Sequence, residues 1–451
     1  MVKKFFGTDG IRGTVNSETL NSEIALKLGL AAGKVFTRGN HKHRVVIGKD
    51  TRVSGYMLES ALESGFTSSG MDVFLCGPIP TPAVAFLTQA FRADLGVMIT
   101  ASHNTFEDNG FKLFGPDGYK LSDNKQSEIE DLMNSIEIKD LPKAGNIGIA
   151  KRVDDAISRY LEFSKATFPN TMRLDHLKIV IDCANGAAYK VAPKVFWELG
   201  ADIIVIGDQP NGRNINLNCG TTNTETIREK VVNEKADLGI SFDGDADRLV
   251  IIDENGHEVN GDHLLAMIAK NLKDKNMLQL NTIVGTIMSN KGLEEYLPEI
   301  GINLIRSKVG DRHVVEEMRK QGVTLGGEPS GHIIINNFCT TGDAIIASLQ
   351  VLASICEEKK SISELTNLFP LYHQAHNNIQ CNSSDSLDDS LINKLIEEKK
   401  DELGKKGRII IRKSGTEPIV RVMIESEDSD LNLDILEEIS FKIKEHFSNY
   451  N

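Results

Sequence analysis

The sequence has little of what marks several common classes of protein. Its six cysteines are widely scattered over 451 residues, and no two have the spacing of a metal-binding or redox motif. We therefore expect reduced, mostly buried thiols in a cytoplasmic protein. No apolar stretch is long enough to span a bilayer, and the first residues lack the apolar segment of a secretory signal. The net charge of −13 argues against binding to nucleic acid or to a membrane surface.

A pattern of strand, turn and helix occurs three times in the first three-quarters of the chain. An apolar run leads through a polar turn into a helical stretch, and two further apolar runs follow each time. The first runs begin the segments 45–69, 178–199 and 282–300; the second runs are 71–77, 201–208 and 302–306; the third runs are 94–100, 237–242 and 323–327. Strands alternating with helices predict βαβ units on a mostly parallel sheet.

The predicted fold is α/β, with three related α/β domains of mostly parallel mixed sheets and a smaller C-terminal α+β domain. We expect the domains at 1–150, 151–255, 256–368 and 369–451. The remaining predicted elements are a helix at 341–358 with Thr341 as its N-cap, strands at 371–381, 408–412 and 418–425, and helices at 387–403 and 432–448.

The third apolar run of each repeat leads into a loop with unusual chemistry, and ligands in open α/β sheets bind beyond the carboxyl ends of strands. In the second repeat this loop is SFDGDADR, in which Asp243, Asp245 and Asp247 alternate with small residues. Three clustered carboxylates repel one another unless a cation neutralises them, and their oxygens suit Mg²⁺ or Ca²⁺. A solvated acidic turn is the alternative. Arg248 either balances these carboxylates or contacts a phosphoryl group.

The first repeat ends in TASHN at 100–104. The Ser102 hydroxyl is a weak nucleophile unless it is activated or already modified, and as a phosphoserine it would need a cation beside it. His103 is a candidate base, but neighbours past a strand end often point apart. Lys112 could stabilise a transferring phosphoryl group or move a proton; its alternative is a surface lysine on a hairpin.

The third repeat ends in GEPSGH at 327–332. Glu328 and Ser330 offer the acceptors and donors that sugar hydroxyls require, and His332 could shuttle a proton. A capped turn before a strand is the alternative for this loop.

Two further segments gather groups that suit phosphate. The C-terminal stretch RKSGTEPIVR combines hydroxyls, backbone N–H groups and guanidinium forks in an otherwise acidic chain. Near the start, the glycine-dense GTDGIRG at 7–13 is not a GxGxxG dinucleotide fingerprint, and its Arg12 could add a phosphate contact. The proposed phosphate-binding set is Arg412, Ser414, Gly415, Thr416 and Arg421.

Five motifs in this order resemble the α-D-phosphohexomutases. They are FFGTDGIRG, TASHNTFEDNGFKLFG, SFDGDADR, GGEPSGH and RKSGTEPIVRVMIE, and they extend from Phe5 to about Glu425. PNGRNINLNCG at 210–220 favours the subgroup that acts on glucosamine phosphates. Pro329 departs from the pattern, because a glutamine or asparagine is expected there.

The resemblance implies that the four domains are arranged around a central cleft, and it implies a reaction and a set of roles. Phospho-Ser102 gives its phosphoryl group to a free hydroxyl of a sugar phosphate; the resulting 1,6-bisphosphate turns over in the cleft and returns its other phosphate to Ser102. Mg²⁺ is held by Ser102, Asp243, Asp245 and Asp247. Ser102, Lys112 and His332 are catalytic by this resemblance, and it leaves open which of Lys112 and His332 is the acid and which is the base. Glu328, Ser330 and the C-terminal phosphate-binding set bind substrate. From the residues alone, Arg248 is a further catalytic candidate and Arg12 a further substrate-binding one.

The resemblance also implies partners and a setting for this reaction. The partner is a small sugar phosphate, with a sugar 1,6-bisphosphate as activator, and the product feeds amino-sugar nucleotides for cell-wall precursors. A homodimer is compatible with the sequence, which does not itself show the oligomeric state. Three alternatives stay open: a sister mutase acting on glucose or mannose phosphates, an aspartyl-phosphate phosphatase using Asp243 and Asp245, and a Mg²⁺-dependent sugar-phosphate sensor.

Overall fold

The structure is a computed structural model that describes residues 5–7, 9–381, 390–413 and 418–449. The chain divides into two compact units. The first comprises Met1–Met288 and Ile302–Leu368, and the second comprises Ser289–Gly301 and Phe369–Asn451. Within the described residues, no helix combines the length and apolar character needed to cross a bilayer.

Helices and strands alternate along most of the chain. The helices are α1 (Ser22–Phe36), α2 (Ser54–Ser68), α3 (Thr81–Ala90), α4 (Asp123–Ser135), α5 (Ala156–Lys165), α6 (Ala192–Glu198), α7 (Glu225–Glu234), α8 (Gly261–Asp274), α9 (Lys291–Glu299), α10 (Asp311–Gln321), α11 (Ala344–Glu358), α12 (Ile362–Thr366), α13 (Ser390–Leu403) and α14 (Ser429–Asn449). Of these, α9, α13 and α14 belong to the second unit.

Three mixed sheets form the first unit. The first contains β1 (Ile11–Thr14), β2 (Arg44–Lys49), β3 (Asp72–Pro78), β4 (Leu95–Ile99), β5 (Asp108–Phe114) and β6 (Ala150–Arg152). The second contains β7 (Lys178–Asp182), β8 (Asp202–Ile206), β9 (Leu238–Phe242), β10 (Leu249–Ile252) and β11 (Glu258–Val259). The third contains β12 (Thr282–Thr286), β13 (Asn303–Ser307), β14 (Leu325–Gly327) and β15 (Ile333–Ile335).

The three sheets share one arrangement, so the threefold repeat expected from the sequence is confirmed. In each sheet the first strand of the repeat lies between the second and the third, as in β4-β2-β3, β9-β7-β8 and β14-β12-β13, and all of these pairs are parallel. An antiparallel strand then pairs with the third: β5 with β4, β10 with β9, and β15 with β14. The loop joining each of these pairs is one of the three loops with unusual chemistry.

Burial explains why these loops are fixed in place. Every residue of β4 and of β9 is buried, as expected for central strands covered on both faces. Their continuous apolar runs therefore anchor the loops that follow to a rigid sheet edge.

The second unit is built on an antiparallel sheet, with β18 (Ile419–Ser426) between β16 (His373–Gln380) and β17 (Arg408–Lys413). Helix α14 packs on this sheet through Ile435, Ile439 and Ile443, which recur every four residues on one helix face. The expected α+β character of the C-terminal part is confirmed.

The start of α11 differs from the sequence prediction. The N-cap is Asp343, whose carboxylate accepts a hydrogen bond of 2.9 Å from the Ile346 N–H, so the proposal of Thr341 as N-cap was wrong. The other carboxylate oxygen accepts a 2.8 Å bond from the Tyr160 hydroxyl, and the Ala344 N–H bonds the carbonyl of Ala246 in the aspartate loop. The start of α11 therefore helps to position the loop that carries the three aspartates.

Replacing Asp343 with Asn should flatten the pH dependence of stability. Burial raises the pKa of Asp343 from 3.8 to about 6. Because the folded-state pKa lies above the unfolded one, the group's stabilising contribution is complete below pH 4 and is lost as the pH rises through about 6. We subtract the free energy of unfolding of the native protein from that of the variant. This difference should increase by about 1 kcal/mol between pH 5 and pH 7.5, because only the native protein loses the contribution of Asp343.

The measurement is urea unfolding of both proteins at the two pH values. Asp401→Asn, which removes one exposed carboxylate from α13, controls for the change in net charge. A difference between the native and Asp343→Asn proteins that stays constant with pH would contradict the assignment.

Candidate active site

Ser102 lies in the loop between β4 and β5, with its side chain buried. Its backbone has a positive φ of 52°, which is uncommon for a residue with a side chain. The Ser102 N–H donates to the hydroxyl oxygen of Thr100 at 2.9 Å. The strand end and this short bond therefore hold the serine in one defined conformation.

The Ser102 hydroxyl faces the aspartate loop of the next sheet. Its Oγ donates to Asp243 Oδ2 at 2.7 Å, across 141 residues of sequence. It also lies 3.3 Å from Nδ1 of His103, so the expectation that these neighbours point apart was wrong. Burial, followed by the charges of Arg248 and Arg12, lowers the pKa of His103 to about 4, which leaves a neutral imidazole beside the hydroxyl.

The three aspartates form a compact cage of oxygens. Asp243, Asp245 and Asp247 are all buried, and each offers a carboxylate oxygen within 4.8 Å of the others. Buried oxygens normally have hydrogen-bond partners, yet Oδ1 of Asp245 and Oδ1 of Asp247 have none among the described residues. Converging carboxylate oxygens with unused acceptor capacity fit a hard divalent cation such as Mg²⁺.

The charges of this cage are only partly balanced. Burial, together with the neighbouring charges of Asp245 and Asp247, raises the pKa of Asp243 well above its usual value. For Asp247 burial acts in the same direction, but Lys112 and His332 outweigh it and hold the pKa well below the usual value. A further positive charge at the cage would relieve the cost of ionising Asp243.

Lys112 is a buried residue of β5, so the alternative of a surface lysine on a hairpin was wrong. Its Nζ lies 2.8 Å from Asp245 Oδ2 and 2.6 Å from Asp247 Oδ2. Burial alone lowers its pKa, but Asp245, Asp247 and Asp9 raise it well above the usual value. The side chain is therefore a permanent ammonium group at the edge of the cage.

The third loop packs directly against the second. Gly331 has a φ of 79°, and a Cβ there would lie 1.8 Å from the carbonyl oxygen of Leu249, so only glycine fits this contact. Glu328 is buried and accepts a 3.0 Å bond from the Gly310 N–H, whereas Ser330 is exposed.

His332 connects this loop to the aspartate cage. Its Nδ1 lies 3.6 Å from Asp247 Oδ1, and its Nε2 lies 3.7 Å from Asp311 Oδ2. Burial alone lowers the pKa of His332, but Asp247, Asp311 and Glu328 raise it overall. The loops of all three sheets therefore meet around one group of charges.

The two predicted arginines of this unit take different places. Arg248 is half-buried, and its backbone N–H donates to Asp243 Oδ1 at 3.1 Å. Its Nε is buried and has no hydrogen-bond partner within the part of the chain that the structure describes. That guanidinium N–H is available to an anion. Arg12, on β1, pairs with Asp9 at 3.2 Å and is only partly buried.

Several residues of this site were not found from the sequence. Lys120 forms ion pairs with both Asp9 and Asp311, and Asp9 also lies 3.6 Å from Lys112. Thr81, the first residue of α3, donates from its hydroxyl to Asp245 Oδ2 at 2.5 Å. Asp9 stood within the GTDGIRG motif, whereas Lys120, Asp311 and Thr81 lie outside every motif considered.

The predicted C-terminal phosphate site falls partly outside the described residues, which do not include Ser414, Gly415 and Thr416. Arg412 and Arg421 are directly paired across β17 and β18. Residues paired in this way present their side chains on the same face of a sheet.

The geometry of the first unit suits transfer of a phosphoryl group between oxygens. It provides a buried hydroxyl, an oxygen cage for a divalent cation and a fixed ammonium group, which are the parts that such chemistry uses for positioning and for charge neutralisation.

Models of a known family match nearly the whole chain. The four domain models of phosphoglucomutase/phosphomannomutase match residues 3–140 (alpha/beta/alpha domain I), 158–256 (domain II), 260–372 (domain III) and 356–440 (C-terminal domain). The resemblance to phosphohexomutases is thereby confirmed.

Curated relatives are similar to this chain over nearly their full length. A phosphoglucosamine mutase of Parvibaculum lavamentivorans is 53% identical over 98% of this chain and 99% of its own, and one of Zymomonas mobilis is 53% identical over 97% and 98%.

Solved structures share the fold. A phosphoglucomutase/phosphomannomutase family protein from Burkholderia thailandensis has a TM-score of 0.82 at 24% identity, covering 99% of this chain and 98% of that one. Aspergillus fumigatus N-acetylphosphoglucosamine mutase, solved in complex with GlcNAc-6P and magnesium, has a TM-score of 0.71 at 18% identity, covering 98% and 96%. The chain belongs to the phosphoglucomutase/phosphomannomutase family of phosphohexomutase enzymes.

Proposed function

We propose that this chain is a phosphoglucosamine mutase, which interconverts glucosamine 6-phosphate and glucosamine 1-phosphate through phospho-Ser102 and a 1,6-bisphosphate. The choice of sugar rests on the curated relatives, which are 53% identical over nearly the whole chain. The mechanism rests on one contact, the 2.7 Å bond between Ser102 Oγ and Asp243 Oδ2.

Each half-reaction exchanges one P–O bond for another. The bond between phosphorus and Ser102 Oγ breaks while a bond forms from phosphorus to the free sugar hydroxyl. The proton of that hydroxyl leaves to a basic group, and Ser102 Oγ regains a proton. The second half-reaction runs in reverse with the other phosphate of the bisphosphate, so Ser102 is phosphorylated again at the end of the cycle.

The side chains around Ser102 divide these tasks. Lys112 is held as an ammonium group, so it neutralises charge on the transferring phosphoryl group and does not abstract the proton. His332 is the candidate for proton transfer, because its Nε2 is buried and no described residue forms a hydrogen bond with it. The unpaired Nε of Arg248 is suited to a phosphoryl oxygen.

Mg²⁺ would be held by Asp243, Asp245, Asp247 and the group on Ser102, and it would supply Lewis-acid stabilisation of the transferring charge. Glu328 and Ser330 would bind the sugar. Arg12 would add a phosphate contact. The non-reacting phosphate would be bound by Arg412, Ser414, Gly415, Thr416 and Arg421.

The cellular setting is part of the same proposal. All six cysteines are free, and four of them are buried, which is expected in a reducing compartment such as the cytoplasm. The product would supply amino-sugar nucleotides for peptidoglycan precursors. A sugar 1,6-bisphosphate would serve as the activator that first phosphorylates Ser102.

The sugar preference is tested by comparing kcat/KM for glucosamine, glucose and mannose 6-phosphates with Mg²⁺ and a catalytic amount of glucose 1,6-bisphosphate. We expect glucosamine 6-phosphate to be preferred at least tenfold. Equal or higher kcat/KM for glucose or mannose 6-phosphate would identify a sister mutase. Binding of all three without isomerisation would identify a sensor.

Ser102→Ala should abolish turnover, because the variant has no oxygen to carry the phosphoryl group. Its thermal midpoint should stay within a few degrees of the native one. Intact-mass analysis after incubation with glucose 1,6-bisphosphate should find one added phosphoryl group on the native protein and none on the variant.

The control for this substitution is Ser60→Ala, which removes an exposed serine of α2. Phosphorylation of an aspartate in place of Ser102, or substantial activity in the Ser102→Ala variant, would overturn the assignment and revive the phosphatase alternative.

Asp245→Asn should weaken divalent-cation binding, because it removes one charge from the oxygen cage while keeping its shape. We expect calorimetric Mn²⁺ or Mg²⁺ affinity to fall at least tenfold and the Mg²⁺ concentration for half-maximal rate to rise. Asp237→Asn, an exposed position just before the other end of β9, is the matched control. Unchanged cation affinity in the Asp245→Asn variant would place the cation elsewhere.

A further inference from the structure

Arg52 is completely buried, although it lies outside the three loops that follow β4, β9 and β14. It follows the end of β2 and precedes α2. Its Nε donates to Asp50 Oδ2 at 2.8 Å, so its charge is balanced within its own loop. A guanidinium group has five N–H donors, so four donors of Arg52 remain for other partners.

All four remaining donors bond backbone carbonyls of the loop that carries Ser102. Nη2 donates to the carbonyls of Ser102 at 3.0 Å and Asn104 at 2.8 Å. Nη1 donates to the carbonyl of Asp108 at 3.1 Å and to that of Thr105. One planar guanidinium group thus binds four carbonyls, three in the loop after β4 and one at Asp108, the first residue of β5.

A second side chain, from the segment of the chain that forms the second sheet, binds two of the same carbonyls. Nδ2 of Asn216 donates to the carbonyls of Ser102 and Asn104, both at 2.8 Å. Each of these two carbonyl oxygens therefore accepts two hydrogen bonds, which fills both of its lone pairs. A Cβ on Gly244 would lie 2.5 Å from the Ser102 carbonyl oxygen and 2.7 Å from Asn216 Nδ2, so the aspartate loop closes directly over this contact.

We propose that Arg52 and Asn216 are positioning residues, which hold the carbonyls of Ser102 and Asn104 and thereby keep Ser102 Oγ directed at the aspartate cage. Ser102 has a left-handed backbone conformation, which is unfavourable for a residue with a side chain. In this proposal, the hydrogen bonds that fix the direction of the Ser102 carbonyl maintain that conformation. Neither residue touches the reacting atoms. The proposal rests on the proposed phosphotransfer through Ser102.

Arg52→Lys is the primary test, because it keeps the positive charge but offers three donors from one point in place of a planar fork of five. A small displacement of the reacting oxygen costs about 100-fold in rate. We expect kcat to fall by about that factor while KM for glucosamine 6-phosphate changes less than about threefold. Arg44→Lys, at the opposite end of β2, is the matched control and should leave both constants near the native values.

Single-turnover phosphorylation separates positioning from general damage to the fold. Glucose 1,6-bisphosphate is the probe, and phosphorylation of Ser102 is followed by intact mass. A mispositioned serine should reach full occupancy at a rate lowered by about the same factor as kcat. Partial occupancy at the native rate would show that a fraction of molecules is misfolded, and would overturn the proposal.

Asn216→Gly provides a milder variant, because glycine accepts the φ of 56° at this position while removing both hydrogen bonds. We expect about a tenfold loss of kcat with KM retained. Asn218→Gly, in the same loop with a φ of 53° and an exposed side chain, is the control.

The outcomes distinguish this inference from the proposed function. A native protein that takes no phosphoryl group on Ser102 would overturn the proposed function and, with it, the reaction that the two residues serve. An active native protein whose Arg52→Lys and Asn216→Gly variants are phosphorylated at the native rate would overturn the positioning role alone.

Discussion

Burial of three carboxylates beside one hydroxyl is the constraint on which the site depends. Like charges within a few ångströms, removed from water, raise the cost of ionising each of them, and the raised pKa of Asp243 is the direct consequence. Lys112 supplies one compensating charge, but among the three aspartates it contacts only Asp245 and Asp247. Among the described residues, Oδ1 of Asp245 and Oδ1 of Asp247 therefore remain as acceptors without a hydrogen-bond donor, which suits a divalent cation.

The topology explains how distant segments reach this point. Each of the three sheets ends its repeat with a parallel strand followed by an antiparallel one, so each presents one loop at an equivalent edge. Repetition of a single unit thus supplies the loop of Ser102, the loop of the three aspartates and the loop of Glu328 and His332. The glycine at 331, which lies against the backbone at Leu249, shows how closely the second and third loops are packed.

Local patterns in the sequence predicted the parts of this arrangement that depend on neighbours in the chain. The buried strands β4 and β9 were predicted from continuous apolar runs, and the reactive residues from the loops that follow them. Ion pairs between residues that are far apart in the sequence were not predictable in this way. Lys120 and Asp311 are 191 residues apart, and nothing near either one indicates the other. The N-cap of α11 was misplaced for a similar reason, because Thr341 and Asp343 are both acceptable caps, and the distant Tyr160 binds the second.

The same distinction explains why Arg52 escaped notice in a segment that was otherwise correctly predicted as strand, turn and helix. Apart from the nearby Asp50, its partners are backbone carbonyls, whose positions cannot be recognised from residue types. Holding the Ser102 loop through its backbone carbonyls also suits the proposed reaction. In the proposed cycle, the Ser102 side chain alternates between a neutral hydroxyl and a phosphate with nearly two negative charges, so contacts to the side chain would change from step to step. The carbonyl of Ser102 has the same charge in both states. Hydrogen bonds from Arg52 and Asn216 can therefore persist through both half-reactions and hold the backbone while the chemistry at Oγ changes.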